Sequence, residues 1–376
     1  MLTLQDRPFS FSEIIGQKNI VREMKRRSKT LDYPEVMLFQ GPSGTGKTTL
    51  ACIIAALLND PSPLHDPDGT LEPNPESPAS VDIRETRFHR DVIFKDASSM
   101  SKEDVLGLAS EVATSPMYDK NKILIIDEAQ FLSKMGKGAM LTFLEKKKKG
   151  TYVIMCTMDA SVFDKAIRSR AVEYRFRSPT EDEIAQYLFS YTERLSLPVT
   201  DDTRDFYTNG LYTIATGCQG SVRMALQMFE RCIEGEIYRD EDIEREFGTV
   251  STKKFDQIVK NLIDKKDRQA VSDLMNLEVE DAYRLLMSSL TNIYLYRTTG
   301  YSSTEWGARQ SSQIESIDRV RLLLELLKDV PTSPFIRKDL FIYALSKYYD
   351  SSEPTGISSP PTTSTVRRGG RQRVQV

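Results

Sequence analysis

The stretch Gly41-Pro42-Ser43-Gly44-Thr45-Gly46-Lys47-Thr48 decides the fold of this chain, because it fits the phosphate-loop pattern GxxxxGK[ST] at every fixed position. An apolar run at 36–40 precedes it and predicts a buried strand, and an apolar segment at 49–58 follows it and predicts a helix. A strand, a glycine-rich loop and a helix in this order form the context in which the pattern binds phosphate. The alternative is a glycine-rich turn before an ordinary helix.

The phosphate loop predicts a nucleotide site with specific roles for its residues. Its backbone N–H groups and the helix N-terminus favour phosphate oxygens. Lys47 is expected to reach the β- and γ-phosphates and Thr48 to ligate Mg²⁺. We therefore expect ATP contacts from a continuous run of nine residues, Gly41, Pro42, Ser43, Gly44, Thr45, Gly46, Lys47, Thr48 and Thr49.

Two carboxylates follow a second apolar run, at 122–126. A continuous run of this length is typical of a central parallel strand that is buried on both faces. Asp127 and Glu128 then lie at its carboxyl end, where ligands of α/β sheets bind. Asp127 is expected to hold Mg²⁺ with Thr48, and Glu128 to orient the attacking water. The alternative is that both are merely solvated residues at a strand end.

Strands and helices alternate from 36 to 177, which predicts a doubly wound α/β domain. The apolar strand 152–156 ends at Thr157, whose side chain is expected to point at the nucleotide pocket. A helix at 137–146 ends in four lysines, 146–149. These lysines suit the helix dipole, or alternatively contact a phosphate backbone. Residues 59–80 hold six prolines and are expected to form a solvated loop without regular structure, more plausibly disordered than functional.

Helical patterns occupy the rest of the chain. Residues 178–247 read as helices only, with Thr180 as an N-cap and Arg223 in the first turn of another helix. Residues 251–349 carry helical periodicity and no catalytic constellation. The stretch 351–376 is rich in Ser, Thr and Pro, contains four arginines, and predicts a disordered basic tail.

Composition excludes several classes of protein. The chain has 376 residues, a net charge of −3 and no apolar run of membrane-spanning length, so we expect a globular protein without a membrane partner. Met1–Ser12 lacks the apolar core of a secretory signal. Four scattered cysteines without a CxxC pair favour a reduced, cytoplasmic compartment, and with only two histidines no zinc site is expected. Any DNA contact would have to come from a local basic surface, for which the segments near 101–105 and 134–138 are candidates.

The order of these motifs resembles the AAA+ ATPases of the clamp-loader type, the family of the bacterial DNA polymerase III gamma/tau subunits and the replication factor C small subunits. The resemblance is carried by the stretches 11–17, 96–99, 139–145, 152–159, 169–171 and 220–226. It implies an AAA+ domain at 1–177, a helical lid at 178–247, a helical collar for oligomerisation at 248–350 and the tail 351–376. The chain differs from the family in one segment. Its proline-rich residues 59–80 stand where the bacterial members carry a four-cysteine zinc module.

The resemblance also implies roles for residues outside the phosphate loop. Ile15 would touch the adenine, Thr157 would sense the γ-phosphate, and Arg223 would contact it from the lid. Arg170 lies in Ser169-Arg170-Ala171, where clamp loaders carry Ser-Arg-Cys. It would act in trans as a finger in the ATP site of the neighbouring subunit.

The resemblance implies an ATPase subunit of a DNA sliding-clamp loader, with ATP and Mg²⁺ at subunit interfaces. Its partners would be other loader subunits in a homo- or hetero-oligomeric ring, a sliding clamp and primer–template DNA. It would act in the cytoplasm of a bacterial cell or of a virus-infected host cell. Alternatives are another AAA+ DNA-processing motor for branch migration or replication restart, a non-catalytic structural loader subunit, and a P-loop kinase.

Overall fold

The computed structural model describes residues 8–100, 104, 107, 114–250, 252–265, 268–300, 311, 314–331 and 336–351. The chain divides into two compact units, Met1–Lys254 and Phe255–Val376. The predicted helix that begins at Ser101 and nearly all of the predicted tail lie outside the described residues. The finer division into domain, lid and collar stays a prediction.

Strands and helices follow one another along the first unit, and helices alone occupy its last part. Its strands are β1 Val36–Gln40, β2 Leu64–His65, β3 Leu71–Glu72, β4 Val92–Asp96, β5 Lys122–Asp127, β6 Thr151–Thr157 and β7 Val172–Arg175. Its helices are α1 Lys18–Ser28, α2 Lys47–Leu58, α3 Pro78–Thr86, α4 Lys134–Lys146, α5 Lys165–Arg168, α6 Glu181–Arg194, α7 Asp201–Asp205, α8 Leu211–Gly217, α9 Val222–Glu234 and α10 Asp240–Phe247.

Five strands form one parallel sheet in the order β4-β5-β6-β1-β7. Successive residues of β5 lie in different cores: Ile123 and Ile125 pack with α2 on one face, and Leu124 and Ile126 pack with α4 on the other. A strand buried on both faces needs the continuous apolar run that the sequence has at this point. The structure therefore confirms the predicted α/β nucleotide-binding fold.

Register within the sheet places the functional strand ends side by side. Gln40, the last residue of β1, pairs with Thr157 at the end of β6. Ile126 of β5 pairs with Met155 of β6, so Asp127 comes one step beyond that pair. The carboxyl ends of β1, β5 and β6 thus meet at one edge, directly before the phosphate loop.

The helices that follow the sheet form a core of their own. The helix α6 begins at a capping box in which Thr180 accepts the N–H of Glu183, as its predicted N-cap role requires. Buried side chains of α6, α8, α9 and α10 pack together, among them Leu188, Ile214 and Phe229. Ile15 packs against this cluster, so the segment before α1 contacts the helical layer as well as the sheet.

The expectation for residues 59–80 is wrong. The strands β2 and β3 form an antiparallel hairpin in this segment, and α3 begins inside it. No proline falls within either strand, and Pro78 stands at the first position of α3, where no backbone donor is needed. Asp60 is buried and accepts the N–H groups of Ser62 and Asn74 at 2.8 and 2.6 Å, which fixes both ends of the hairpin.

The second unit consists of helices over its described residues. They are α11 Thr252–Lys260, which begins at the end of the first unit, a π-helical turn Asn261–Lys265, α12 Arg268–Met275, α13 Val279–Thr299, α14 Ile317–Leu327 and α15 Lys338–Asp350. The ring of Tyr283 lies 5.7 Å from that of Phe341, and its hydroxyl donates to the carbonyl of Leu327 at 3.1 Å. This joins α13, α14 and α15 and agrees with the predicted all-helical C-terminal part.

Two further observations concern the chain as a whole. The four cysteines form no disulfide with one another, and all four are buried. Over the residues that the structure describes, no helix is both long and apolar enough to cross a membrane.

Candidate nucleotide site

A cleft opens at the carboxyl edge of the sheet and is bounded by three parts of the chain. The first part is the phosphate loop with the start of α2, and the second is the pair of carboxylates at the end of β5. The third consists of the segment before α1 together with the helices α6 and α9. Its lining comprises Pro8, Glu13, Ile14, Ile15, Ser43, Gly44, Thr45, Gly46, Lys47, Thr48, Thr49, Asp127, Glu128, Tyr187, Val222, Arg223 and Leu226.

The phosphate loop is held against the N-terminus of α9. Gly44 has φ +74°, and a Cβ at this position would lie 2.2 Å from the hydroxyl oxygen of Ser221. Its carbonyl accepts the N–H of Val222 at 3.0 Å. Ser221 in turn caps α9 by accepting the N–H of Met224. Only glycine fits this backbone conformation and this close approach, so the loop and α9 fix each other's position.

Lys47 is buried at the start of α2, beneath the loop. Its ammonium group donates to the carbonyls of Gly41 and Pro42 at 2.8 and 2.7 Å. Burial lowers the pKa of this amine from its ordinary value, against smaller opposing effects of Asp127 and Glu128. Gly41 and Pro42 do not line the cleft, and in this arrangement their carbonyls hold the lysine.

Thr48 and Asp127 present a compact set of hard oxygen ligands. The hydroxyl of Thr48 lies 2.9 Å from each of the two carboxylate oxygens of Asp127. Both side chains are partly exposed to the cleft. Mg²⁺ is usually held by one or two protein oxygens together with water and substrate phosphates, so this pair fits the ion. The described residues contain no group of three or more His, Cys, Asp or Glu that could hold a metal without such help.

Glu128 lines the cleft beside this pair. Its backbone lies in the left-handed region, with φ +48° and ψ 39°, at the sharp turn that ends β5. Its N–H donates to Asp127 at 3.1 Å. Its carboxylate accepts a hydrogen bond of 2.5 Å from the side-chain amide of Gln130. A non-glycine residue in this conformation stores backbone strain, which is often found at functional sites.

Thr157 does not line the cleft but is linked to it. Its side chain is fully buried, and its hydroxyl lies 3.0 Å from both the side-chain oxygen of Gln130 and the carbonyl of Asp159, two acceptors that share its one proton. The side chain of Thr157 therefore does not point directly at the pocket, as predicted, but contacts Gln130. Gln130 is a site residue that the sequence did not predict, although it is a polar residue only two positions after Glu128.

Ile15 and Arg223, which were predicted from the family resemblance to contact the nucleotide, both line the cleft. Arg223 projects from the first turn of α9 and is exposed. Ile15 lines the cleft from the segment before α1. Tyr187 and Leu226 also line the cleft and were missed, because α6 and α9 follow the phosphate loop only at long distance in the chain.

Arg170 lies outside the cleft of its own chain. Its guanidinium donates to Glu145 at 2.9 Å and to the carbonyl of Ala166 at 2.8 Å. Both partners of the ion pair are exposed, with side-chain exposures of 40% for Arg170 and 48% for Glu145. An exposed surface ion pair of this kind contributes little to stability and is readily exchanged.

The basic segments proposed to contact DNA have different surroundings. Of the lysine run, Lys147 forms an ion pair with Glu35, and Lys148 donates to Ser115 at 3.3 Å. The candidates at 101–105 lie almost entirely outside the described residues. At 134–138, α4 begins with Ser133 as its N-cap, and Lys137 lies 5.7 Å from the ring centre of Phe163.

Comparison with known proteins supports the resemblance. A family model described as "DNA polymerase III, delta subunit" matches residues 16–180. The chain is 28% identical to the DNA polymerase III subunit tau/gamma of Haemophilus influenzae over 60% of this chain and 31% of that protein. It is 26% identical to the subunit tau of Bacillus subtilis over 78% of this chain and 51% of that protein. The matched stretches thus span from a third to half of these relatives.

A solved structure matches the chain more loosely. The RuvB Holliday junction branch migration motor of Thermotoga maritima is 17% identical, with a TM-score of 0.44, over 82% of this chain and 99% of that chain. From the family model and the relatives, the chain resembles the clamp-loader AAA+ ATPases, as the sequence analysis predicted.

Proposed function

We propose that this chain is an ATP-hydrolysing subunit of a sliding-clamp loader that acts on primer–template DNA in the cytoplasm. The observation that carries the proposal is the convergence of Lys47, Thr48, Asp127, Glu128 and Arg223 on one cleft. The similarity to DNA polymerase III subunits tau/gamma and tau directs this ATPase site toward clamp loading rather than another task.

The triphosphate would lie along the phosphate loop, with its γ-phosphate towards the carboxylates. The backbone N–H groups of the loop and the first turn of α2 would hold the phosphate oxygens. Lys47 would turn from the carbonyls of Gly41 and Pro42 to the β- and γ-phosphates. Ile15 and its neighbours, which line the cleft, would contact the base.

Thr48 and Asp127 would hold Mg²⁺, which neutralises charge on the phosphate oxygens when it is bound. Glu128 would orient the attacking water. In hydrolysis the water oxygen bonds to the γ-phosphorus, the bond to the β–γ bridging oxygen breaks, and ADP and phosphate are the products. Thr157 and Arg223 would report the γ-phosphate to the sheet edge and to α9, respectively.

Arg170 would complete the site of a neighbouring subunit. Its exposure and its exchangeable ion pair with Glu145 support this role, since the side chain is free to leave its own chain's surface. An arginine finger supplied in trans raises turnover by about 10³–10⁵ in other NTPases. Hydrolysis would then depend on assembly into a ring, and ATP occupancy would control the shape of that ring around DNA.

Recognition of the duplex is expected to be independent of sequence. The contacts would be to phosphates, from helix N-termini and basic residues such as those at 134–138, and binding would weaken steeply with salt. The clamp and other loader subunits would be the protein partners.

The proposal is tested by the steady-state rate of ATP hydrolysis, measured with and without the sliding clamp and primer–template DNA. We expect stimulation by both together, and loss of the activity in Lys47→Ala. A rate that neither clamp nor DNA stimulates argues against loading. Equal rates in the wild type, Lys47→Ala and Arg170→Ala would favour the non-catalytic structural subunit. Unwinding or translocation without a clamp would favour another DNA-processing motor.

A further inference from the structure

Gln130 joins two residues of the proposed site that do not contact each other directly. It lies in the short 3₁₀ turn Ala129–Phe131, immediately after β5. Its side-chain oxygen accepts hydrogen bonds from the hydroxyl of Thr157 at 3.0 Å and from the N–H of Met158 at 3.2 Å. Its side-chain nitrogen donates to a carboxylate oxygen of Glu128 at 2.5 Å. One amide group thus spans from the end of β6 to the carboxylate beyond β5.

The orientation of this amide is fixed by its partners. The backbone N–H of Met158 is a donor only, so the atom that faces it has to be the amide oxygen. The amide nitrogen then points at Glu128, whose side-chain oxygen accepts its hydrogen bond. The amide therefore has one orientation, with its oxygen towards Thr157 and its nitrogen towards Glu128.

Glu128 depends on this contact for its side-chain position. Its backbone N–H is used by Asp127, and its main chain is in the left-handed region. Within the described parts of the chain, Gln130 is the only residue that donates a hydrogen bond to its carboxylate. Without that donor, the carboxylate of a long side chain on a strained turn is free to adopt several rotamers.

We propose that Gln130 is a positioning residue that holds the carboxylate of Glu128 where it orients the attacking water, and that it couples this position to Thr157. The inference rests on the proposed ATPase function and deepens it. Gln130 itself touches neither the triphosphate nor the water. It transmits to Glu128 any movement of Thr157 and the end of β6.

The coupling has a structural basis in the sheet. Thr157 pairs with Gln40, the residue that precedes the phosphate loop, so the end of β6 is tied to β1 on one side. The N–H of Gly41 donates to the carbonyl of Thr157 at 3.2 Å. In the proposed coupling, a displacement of the phosphate loop therefore moves Thr157 at the end of β6. This shifts Gln130 and, through it, the carboxylate of Glu128.

Two variants distinguish the role of the amide oxygen from that of the amide nitrogen. Gln130→Met keeps the length of the side chain and removes all three hydrogen bonds. Gln130→Glu keeps an oxygen for Thr157 and Met158 but replaces the donor to Glu128 with a like charge. For both we expect kcat of ATP hydrolysis to fall about 10- to 100-fold, the loss typical of a misplaced reacting group. The Kd for a fluorescent ATP analogue should stay within about twofold, because Gln130 does not line the cleft.

The matched control is Gln227→Met, which makes the same change at an exposed position of α9. It should leave kcat, Kd and the melting temperature unchanged. If Gln130→Met does not fold, as judged by its melting temperature, Gln130→Glu carries the test. A kcat within twofold of the wild type in a folded Gln130 variant, or a loss of kcat matched by an equal rise in Kd, would overturn the positioning role.

The link to Thr157 is tested by a double-mutant cycle with Thr157→Val, which is nearly isosteric and lacks the hydroxyl. If Thr157 acts partly through Gln130, the loss in the double variant is at least about threefold smaller than the product of the single losses. Multiplicative losses would overturn the coupling. Absence of hydrolysis by the wild type above the level of Lys47→Ala would instead remove the proposed function together with this role, so the two failures are distinguishable.

Discussion

The hydroxyl of Thr48 lies 2.9 Å from both carboxylate oxygens of Asp127, although 79 positions separate the two residues in the chain. Thr48 stands in the first turn of α2, and Asp127 ends β5, which is separated from β1 by β6 in the sheet. The parallel arrangement brings both to the same edge. The sheet order thus brings together a hydroxyl and a carboxylate that, in the proposed function, would hold Mg²⁺.

Asp127→Asn is expected to raise the Mg²⁺ concentration required for half-maximal ATP hydrolysis by about tenfold or more. The substitution keeps the shape and an oxygen for Thr48 but removes the negative charge that attracts the ion. The measurement is the ATPase rate against Mg²⁺ at saturating ATP. Asp159→Asn is the control, because within the described parts of the chain the carboxylate of this exposed aspartate after β6 accepts hydrogen bonds only from Ser161. An unchanged Mg²⁺ requirement in Asp127→Asn would contradict the assignment.

Arg170→Ala is expected to abolish most ATP hydrolysis by the assembled protein, while leaving nucleotide affinity unchanged. Mixing it with Lys47→Ala tests whether the arginine acts in trans. Each variant supplies what the other lacks, so random assembly restores about a quarter of the active interfaces of the wild type if the finger comes from a neighbour. The control is Arg175→Ala, at an exposed arginine on β7. Failure of the mixture to exceed its two components would refute action in trans.

How much of this structure the sequence predicted differs from element to element, for physical reasons. The strands β1, β5 and β6 were predictable because burial on both faces demands an uninterrupted apolar run. The start of α6 was predictable because a capping box is local in sequence. The positions of Asp127 and Lys47 in one cleft followed from the rule that parallel strands present their carboxyl ends at one edge.

The parts that were missed depend on contacts between distant segments. Gln130 joins Thr157 to Glu128 only because β5 pairs with β6. The contact between Gly44 and Ser221 requires the helical layer to fold over the phosphate loop. The hairpin of β2 and β3 contradicts the expectation from proline density because every proline of the segment lies outside the paired residues, where it removes no ladder hydrogen bond.

Glu72 makes this hairpin part of the nucleotide-binding unit. It is buried, accepts the N–H of Phe11 at 2.8 Å and lies 3.5 Å from the ammonium group of Lys25. Phe11 begins the segment that contributes Ile14 and Ile15 to the cleft. Glu72→Ala is expected to lower the free energy of unfolding by about 1–3 kcal/mol, since it leaves a buried N–H without a partner. Urea denaturation measures this, and Glu76→Ala, at an exposed glutamate of the same segment, is the control.

The difference in stability between the wild type and Glu72→Gln is expected to depend on pH. Burial raises the pKa of Glu72 above its ordinary value, against the opposing effects of Phe11 and Lys25. A carboxyl with a raised pKa in the folded state contributes stability that is present below its unfolded pKa and is lost as pH rises through the folded pKa. The stability of the wild type relative to Glu72→Gln should therefore fall as pH rises from about 4 upwards. A difference that grows with pH would contradict the pKa direction.

Gly44→Ala is expected to weaken ATP binding by moving the phosphate loop away from α9. The new Cβ would lie 2.2 Å from the hydroxyl oxygen of Ser221 and 3.0 Å from its Cβ, at a φ of +74°. Gly69→Ala is the matched control, because Gly69 has φ +82° and open space around its Cβ. Both variants bear the same backbone strain, about 1 kcal/mol or more, but only Gly44→Ala bears the clash.

The clash is separated from the strain by a second substitution at Ser221. Gly44→Ala combined with Ser221→Ala removes the nearest atom, so we expect partial recovery of the Kd for a fluorescent ATP analogue relative to Gly44→Ala alone. Ser221→Ala alone should cost about 1 kcal/mol of stability through the lost cap of α9. If the double variant binds no better than Gly44→Ala, and Gly69→Ala binds as the wild type does, local strain in the loop governs affinity. The contact between Gly44 and Ser221 of α9 would then not contribute to ATP affinity.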